Sequence, residues 1–500
     1  MTASAVPAPT PAATGEMSRI RQWKTRRNAE LGLLLFAMLL VAAFGATVEA
    51  NQFDEIRPNF WVPAALIGAL FAGLHVVVRF TAPFADPVLL PSVALINGIG
   101  VAFLRRLDIA RAIAQEKPIP TFFADTSGRQ LAWTLLSLIL AAVLLLLLRD
   151  HRIISRYAYT LGLVGIVLMM IPAVLPASIS EVNGAKLWIR IGSVSIQPGE
   201  FAKIALVSFF AYYLVRKREV LSLASHRFLG LDFPRGRDLG PVVTVWLFSL
   251  LVLVFEKDLG TALLYFGLFI VTLYVATERS SWLIIGLLLF FGGVYLAYLL
   301  GASVGGPFAN FYDRAELWLD PFSDANYNRE SGNSYQLVQG LLGLGTGGLF
   351  GTGPGAGSPG TVPEVRTDFI FAGLGEEVGL FGLSAILVLY LLIVERGLHA
   401  ALAVRDSFGK LVAGGLAFTL GLQVFVILGG ITGLIPLTGQ TTPFLSAGGS
   451  SLMANWLLIA MLLRISDAAR RPANSPPDRP SGPKKAPTQL HGAMTEVIKP

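Results

Sequence analysis

Charged residues interrupt or border several long apolar stretches of this 500-residue sequence, and they come in clusters. The clusters read Gly199-Glu200-Phe201-Ala202-Lys203, Glu256-Lys257-Asp258-Leu259-Gly260-Thr261, Asp368, and Gly375-Glu376-Glu377. A charge at the depth of the hydrocarbon costs about 3 kcal/mol on insertion scales, so each cluster is a candidate site. Two simpler interpretations stay open. One is pairing within the protein, as of Glu200 with Lys203, and the other is exposure of 256–258 in a tight turn at the membrane surface.

A short polar segment, 183–200, separates two apolar stretches and carries Lys186, Trp188 and Arg190. Cations at such a position can bind a diphosphate or the phosphate of a membrane lipid. Trp188 is typical of an anchor among lipid headgroups. The local sequence leaves both interpretations of the two cations open.

The longest polar connection, roughly 302–367, holds several further groups. Asp320-Pro321-Phe322-Ser323-Asp324 is followed by Ser334-Tyr335-Gln336-Leu337-Val338-Gln339, by the glycine-rich stretch 340–360, and by Pro363-Glu364-Val365-Arg366-Thr367-Asp368-Phe369. The glycine-rich stretch lacks the Gly-Lys-Ser/Thr ending of a P-loop. It indicates backbone that packs closely against a ligand or a neighbouring helix. Asp324 is compatible with a reactive carboxylate and with an Asx turn.

The elements that must position these residues are membrane-spanning helices. The chain is 54% hydrophobic and only 14% charged, and its mean hydropathy is +0.63, so a soluble fold with a polar coat is excluded. Apolar runs long enough to cross about 30 Å of hydrocarbon predict an all-α integral membrane bundle of about 12 transmembrane helices. The predicted spans lie near 31–48, 61–79, 88–104, 130–148, 157–176, 199–215, 240–256, 258–276, 281–301, 368–394, 408–433 and 443–464.

The placement of Lys and Arg predicts the side on which each connection lies. With the N-terminus inside, basic residues gather in the cytoplasmic connections 149–156, 216–238 and 395–410. The connection 105–129 disagrees, because it would lie outside and carries five Lys and Arg residues. Each span moves the chain to the other side of the membrane, so the connection 302–367, which follows nine spans, lies outside as a large extracytoplasmic loop.

The composition also predicts the state of the chain ends and excludes several classes of function. Residues 1–30 and 467–500 are rich in Pro, Ala and basic residues, and they are predicted to be disordered cytoplasmic tails. The net charge of +7 lies beside the spans rather than in one patch, so no nucleic-acid partner is expected. The absence of cysteine excludes disulfides and thiolate metal sites.

Five segments in order resemble the SEDS family of shape, elongation, division and sporulation proteins, the RodA/FtsW/SpoVE type of peptidoglycan glycosyltransferase. The segments are Gly184–Lys203, Asp258–Ala262, Tyr335–Pro359, Pro363–Gly379 and Gly433–Asn455. The resemblance covers about 86–466 and implies a ten-helix core with its large catalytic loop outside the cell. Residues 31–85 then form two additional N-terminal transmembrane helices.

The resemblance implies that the chain polymerises lipid II into glycan strands attached to undecaprenyl diphosphate, in the bacterial cytoplasmic membrane. It implies a class B penicillin-binding protein, a transpeptidase, as partner. The family's essential loop carboxylate corresponds by position to Asp324. Ala325 departs from the family's usual Pro, however, so Asp320 stays an alternative.

Transfer from a diphosphate donor needs a base for the acceptor hydroxyl and positive charge for the leaving diphosphate. Asp324 is the predicted base. Lys186, Arg190 and Arg366 are the predicted diphosphate ligands, and the resemblance adds Gln336, Glu364 and Asp368 as substrate-binding residues. A divalent cation, Mg²⁺ or Mn²⁺, is compatible with this chemistry, although no metal ligands are assigned.

Two other functions agree with many helices and intramembrane charges. A flippase or transporter for the same precursor would depend on charges at the membrane midplane more than on the outer loop. A non-catalytic scaffold for a transpeptidase would tolerate loss of Asp324.

Overall fold

The computed structural model describes residues 25–182, 185–192, 194–221, 224–228, 231–234, 240–256, 258–305, 308–329 and 332–472. The contacts divide the chain into one unit, Lys24–Arg470, and a second unit formed by the two chain ends. The fold described below is that of the first unit. Residues 1–24 and 473–500 of the two predicted tails lie outside the described residues, whereas 27–30 and 467–470, which were predicted to be disordered, are helical.

Helices dominate the described part of the chain. They are α1 (Arg27–Phe53), α2 (Trp61–Thr81), α3 (Leu89–Ala114), α4 (Thr126–Leu147), α5 (Ala158–Val174), α6 (Ala177–Ser180), α7 (Pro198–Leu221), α8 (Gly240–Phe255), α9 (Leu259–Thr277), α10 (Ser281–Ser303), α11 (Ala309–Leu319), α12 (Asp324–Tyr327), α13 (Tyr335–Gly347), α14 (Ile370–Ala403), α15 (Ser407–Ile431) and α16 (Gly449–Arg470). The strands form three antiparallel hairpins, β1 (Glu181–Val182) with β2 (Ala185–Lys186), β3 (Ile189–Ile191) with β4 (Val194–Ile196), and β5 (Ala224–Phe228) with β6 (Leu231–Pro234).

Twelve long helices of the described chain, α1–α5, α7–α10 and α14–α16, correspond in order to the twelve predicted spans. Nine helices among the described residues are long and apolar enough to cross a membrane. Of the other three, α8 spans 16 residues, and α3 and α7 carry charged side chains within the helix. The predicted polytopic helical membrane fold is confirmed.

The hydrophobic core surrounds α16, whose side chains are buried on nearly all sides. A helix that is covered all round must lie inside the bundle, and α16 packs against α4, α14, α7 and α15. Trp456 at its centre contacts the rings of Phe71 and Phe444, at 5.8 and 5.7 Å between centroids. Its indole donates to the side-chain oxygen of Asn97 at 3.2 Å.

The two additional helices pack on this core and extend further than predicted. Helix α1 lies against α3, and α2 lies against α4. Helix α1 begins at Arg27 rather than at 31, because buried Arg27 pairs with Glu30 at 2.5 Å and Glu30 with His75 at 2.7 Å. Paired charges can lie inside a helix bundle that unpaired charges would avoid.

The connection 105–129, which opposed the predicted topology, is mostly helix. Helix α3 continues to Ala114, and Arg106 is buried in it. Arg106 pairs with Glu377 of α14 at 2.8 Å. Its charge is therefore neutralised inside the protein, which leaves four of the five basic residues of 105–129 in disagreement with the positive-inside pattern.

Candidate functional site

A cavity of about 1210 Å³ opens among the connections at one end of the bundle. Its lining comes from six places: residues 185 and 187–188, Asp258 just before α9, α11, residues 329, 332–334 and 336–337, residues 363–364 and 367–368, and residues 437–439, 441 and 447. Five of these six places carry residues of the motifs singled out in the sequence. Helix α11 was not predicted, because its sequence was treated as part of a polar loop.

Helix α11 forms one wall of the cavity and is fixed by two hydrogen bonds. The guanidinium of Arg314 donates to the Leu437 carbonyl at 3.2 Å, and the indole of Trp318 donates to the Gly433 carbonyl at 2.7 Å. Both acceptors belong to the segment that follows α15. The two bonds hold Arg314 at the cavity wall.

Charged side chains of both signs line the cavity. Among the described residues, the lining carboxylates are Asp258, Asp313, Glu364 and Asp368, and the lining cations are Arg314 and Arg329. Arg329 pairs with Asp313 at 3.0 Å. Arg314 has no ion pair within 4 Å among the described residues, so its charge is available to an anion.

Three predicted substrate-binding residues meet at this cavity. The Gln336 amide lies 3.5 Å from Asp368 Oδ2, and the Thr367 hydroxyl lies 3.1 Å from Asp368 Oδ1 and 3.0 Å from Glu364 Oε2. Burial, with a smaller contribution from the charge of Glu364, raises the pKa of Asp368 to about 6, against the opposing effects of its hydrogen bonds and of Arg314. A carboxyl of this pKa changes charge close to neutral pH.

Asp324 lies beside the cavity and is exposed. It is the first residue of α12, which Ser323 caps by accepting from the Asn326 N–H at 3.3 Å. The segment that carries Asp324 is closed at its base by the Arg329–Asp313 pair, and both of those residues line the cavity. Asp324 itself, like the exposed Asp320, is outside the lining.

The segment around Asp324 is also anchored from the other side. Ser334, a lining residue, donates its hydroxyl to the Pro321 carbonyl at 2.5 Å and its N–H to the Asn326 carbonyl at 3.0 Å. Asp324 is therefore held in a short segment that is anchored on both sides by residues of the cavity lining.

The three predicted diphosphate ligands lie outside the lining. Lys186 is on β2, between the lining residues Ala185 and Leu187, and its N–H donates to the Glu256 carbonyl at 3.0 Å. Arg190 is exposed on β3 and donates to the Ser178 carbonyl at 2.8 Å.

Arg366 is held by α3 and α4. Its guanidinium lies 3.1 Å from Asp108 Oδ1, donates to the Leu107 carbonyl at 3.0 Å, and donates to the Thr126 hydroxyl at 3.3 Å. These contacts engage Arg366 within the protein. Arg366 therefore ties the segment 363–368, to which it belongs, to α3 and α4.

The internal pairing interpretation is confirmed for Glu200 and Lys203. The Lys203 ammonium lies 2.7 Å from Glu200, 2.9 Å from the Gln423 side-chain oxygen and 3.0 Å from that of Asn455. By contrast, the interpretation of 256–258 as an exposed turn is wrong for Glu256 and Asp258, which are buried. Lys257 of that turn lies outside the described residues.

The glycine-rich stretch packs against a neighbouring helix. Gly351 has φ +79°, and a Cβ there would lie 2.2 Å from the Glu377 carbonyl oxygen. The Thr352 and Gly353 N–H groups donate to the Glu376 and Glu377 carbonyls, each at 2.9 Å. The second of the two alternatives for this stretch, contact with a helix, is therefore observed.

A metal site would need several His, Asp or Glu side chains close together. Within the part of the chain that the structure describes, no three His, Asp or Glu side chains form a group that could hold a metal ion. The carboxylates of the cavity do not make such a group.

Comparison with known proteins gives the family. The family described as FTSW_RODA_SPOVE, cell cycle protein, matches residues 87–471. The chain is 47% identical over 475 residues to peptidoglycan glycosyltransferase RodA of Mycobacterium tuberculosis, covering 95% of this chain and 96% of that protein. It is 35% identical over 290 residues to stage V sporulation protein E of Bacillus subtilis, covering 58% and 73%.

Two solved structures share the fold. One, described as structural coordination of polymerization and crosslinking by a peptidoglycan synthase complex, has a TM-score of 0.58 at 26% identity and covers 77% of this chain and 98% of its own. The other is a mutant of the rod shape-determining protein RodA of Thermus thermophilus, with a TM-score of 0.51 at 26% identity, covering 76% and 97%. Together with the membrane-spanning helices, these relatives make the chain a multi-pass protein of the bacterial cytoplasmic membrane. The chain belongs to the FTSW_RODA_SPOVE family of cell cycle proteins, the SEDS family whose motifs its sequence carries.

Proposed function

We propose that this chain polymerises lipid II at the cavity bordered by α11, with Asp324 as the general base. The chain is a peptidoglycan glycosyltransferase, since it is 47% identical to RodA of Mycobacterium tuberculosis over nearly its whole length. The observation that carries the location is the cavity itself, which gathers residues from all five of the family motifs. Its volume of about 1210 Å³ suits a disaccharide with its diphosphate better than a single small ligand.

The leaving diphosphate is an anion and needs positive charge more than it needs a proton. Arg314 is the lining guanidinium without an ion pair among the described residues, so we assign it as the first diphosphate ligand. Arg329 is the second once it leaves Asp313. Lys186 and Arg190 stay in the proposal as cations at the entrance, and Arg366 becomes a positioning residue.

Two carboxylates of the cavity are assigned to the part of the substrate that carries no phosphate. An ionised carboxylate repels a diphosphate, so Glu364 and Asp368 are assigned to the sugar or peptide part of the substrate, together with Gln336. This assignment keeps the anionic and cationic sides of the cavity apart. Arg314 faces the diphosphate, and the 363–368 segment faces the sugar.

The reaction is one in-line displacement. The 4-hydroxyl of the acceptor sugar attacks the anomeric carbon of the donor, the bond from that carbon to the diphosphate oxygen breaks, and the configuration inverts. The hydroxyl proton passes to the Asp324 carboxylate, and the electron pair leaves with undecaprenyl diphosphate. An exposed carboxylate at the cavity edge suits an acceptor that arrives from outside the protein.

We extend the proposal to topology and partners. The loop 302–367 faces outside, the connection 216–238 and both tails face the cytoplasm, residues 31–85 are additions, and residues 86–466 are the polymerase domain. The solved complex of polymerisation and crosslinking supports a crosslinking partner, for which we propose a class B penicillin-binding protein.

The base is tested by replacing Asp324 with Asn, which keeps the size of the side chain and removes its basicity. Asp324→Asn should lower the rate of glycan formation from labelled lipid II by about 10²- to 10⁴-fold, with unchanged thermal unfolding. Asp320→Asn and Asp368→Asn are measured beside it, and exposed Asp150→Asn is the control. If only Asp320→Asn or Asp368→Asn abolishes polymerisation, the base is misassigned. If lipid II translocation changes while polymer still forms, the flippase alternative takes its place.

A further inference from the structure

A second cavity, of about 380 Å³, lies between the two additional helices and the core. Helices α1, α2 and α3 and the residues 119–123 form its walls. It shares no lining residue with the cavity at α11. The polymerisation mechanism above makes no use of it.

The cavity has a polar end and an apolar end. Along α1, its lining runs from Val41 to Glu49, a rise of about 12 Å. Ala102 of α3 lies one turn deeper than Arg105 in the same lining, and Ile67 lies two turns beyond Asn59. The polar end therefore lies at the helix termini, at the proposed extracytoplasmic interface, and the apolar end lies within the hydrocarbon.

The polar end carries an excess of positive charge. Glu49 and Arg57 neutralise each other through two hydrogen bonds of 2.7 and 3.1 Å. Arg105 donates to the Pro120 carbonyl at 2.8 Å and has no carboxylate within ion-pair distance among the described residues. With two guanidiniums and one carboxylate in the lining, the cavity keeps a net single positive charge.

The cavity also opens to the surface at its polar end. Val62, in the first turn of α2, and Phe123 line it and are 62% and 55% exposed. A lipid can therefore enter from the proposed membrane interface with its apolar chain directed toward the apolar end. Glu49, Asp108 and Asp125 act on Arg105 only from beyond ion-pair distance, so a neutral apolar occupant would leave its partly buried charge without an anion in contact, which is unfavourable in this environment.

We propose that this cavity binds an anionic phospholipid of the outer leaflet, with its phosphate on Arg105 and one acyl chain beside Val41 and Ile67. Asn59 and Thr121 lie at the same polar end and can bond the ester oxygens of the glycerol. A polyprenyl phosphate shares the phosphate and lacks those ester oxygens, so the cavity favours the phospholipid.

The proposal is tested on the full-length protein in nanodiscs or detergent by native mass spectrometry and lipid-dependent thermal unfolding. The probes are phosphatidylglycerol, phosphatidylcholine and undecaprenyl phosphate. The native protein should retain phosphatidylglycerol in preference to the other two, and Arg105→Gln should weaken that binding about tenfold to hundredfold. Gln at 105 can still donate to the Pro120 carbonyl, so folding should be kept. Arg111→Gln, an exposed change on the same helix, is the matched control and should bind normally.

A second variant should change the affinity for phosphatidylglycerol in the opposite direction. Glu49→Gln removes the lining carboxylate and frees Arg57, so phosphatidylglycerol should bind more tightly by several fold. Equal retention of phosphatidylcholine, preference for undecaprenyl phosphate, or unchanged binding by Arg105→Gln would each overturn the proposal. None of these binding measurements depends on polymerase activity.

Discussion

The ion pair between Arg106 and Glu377 should be the strongest polar tie between the α3 helix and the glycine-rich stretch. Arg106 is 3% exposed and Glu377 is fully buried. Arg106 contacts Glu377 Oε1 at 2.8 Å and donates to the Gly357 carbonyl at 2.7 Å, while Glu377 Oε2 accepts from the Gly355 N–H at 2.9 Å. The pair therefore joins α3, α14 and the glycine-rich stretch.

The magnitude follows from what each substitution leaves behind. Arg106→Gln leaves a buried carboxylate without its cation, and Glu377→Gln leaves a buried guanidinium without its anion. Each should lower the free energy of unfolding by about 3–5 kcal/mol. The double variant buries no charge and loses mainly hydrogen bonds, so it should cost about 2–3 kcal/mol, well below the sum of the single changes.

The four proteins are compared by equilibrium unfolding in mixed micelles with increasing denaturing detergent, followed by circular dichroism. The control is the pair of Arg218 and Glu278, which lies at 3.1 Å and whose side chains are 52% and 71% exposed. The same cycle there should show coupling below about 1 kcal/mol. If the effects of Arg106→Gln and Glu377→Gln simply add, the two charges are not coupled and the reasoning is refuted.

Three further predictions concern the cavity and the topology. Arg314→Gln should lower kcat/KM for lipid II about tenfold to hundredfold, because a charge-assisted contact to the diphosphate is lost, and an unchanged value would remove Arg314 from the site. Burial and the charge of Glu364 raise the pKa of Asp368 to about 6, so the residue is mostly neutral at pH 5 and mostly negative at pH 7. Its loss of charge at pH 5 removes repulsion of the diphosphate from the sugar side of the same cavity, while the terminal phosphate of the ligand titrates in the same range. The ratio of undecaprenyl diphosphate affinity at pH 5 to that at pH 7 should therefore be lower in Asp368→Asn than in the native protein, as measured by calorimetry at both pH values. Single cysteines at exposed Asn328 and Arg152 should react on opposite sides of the membrane with an impermeant maleimide, whereas labelling from one side would overturn the topology.

The sequence by itself determined the membrane class, the number and order of the long helices, and, apart from α11, the motif segments that contribute to the cavity. A span is a local property, because about 20 consecutive apolar residues satisfy the thickness of the hydrocarbon whatever lies next to them. Glu200 and Lys203 were predictable for the same reason, since residues one turn apart on a helix are neighbours in any fold. Gln336, Glu364 and Asp368 were found because they lie within family motifs.

Only the tertiary structure decided which charges are satisfied inside the protein and which face the cavity. Arg106 and Glu377 are 271 residues apart, and Arg366 finds its carboxylate partner, Asp108, on a different helix. Arg314 entered the site because α11 folds against the segment after α15, which hydropathy does not indicate. The free energy of a buried charge depends on the partner that packing brings within about 4 Å. That partner is set by how the helices pack, not by the residues on either side of the charge in the sequence.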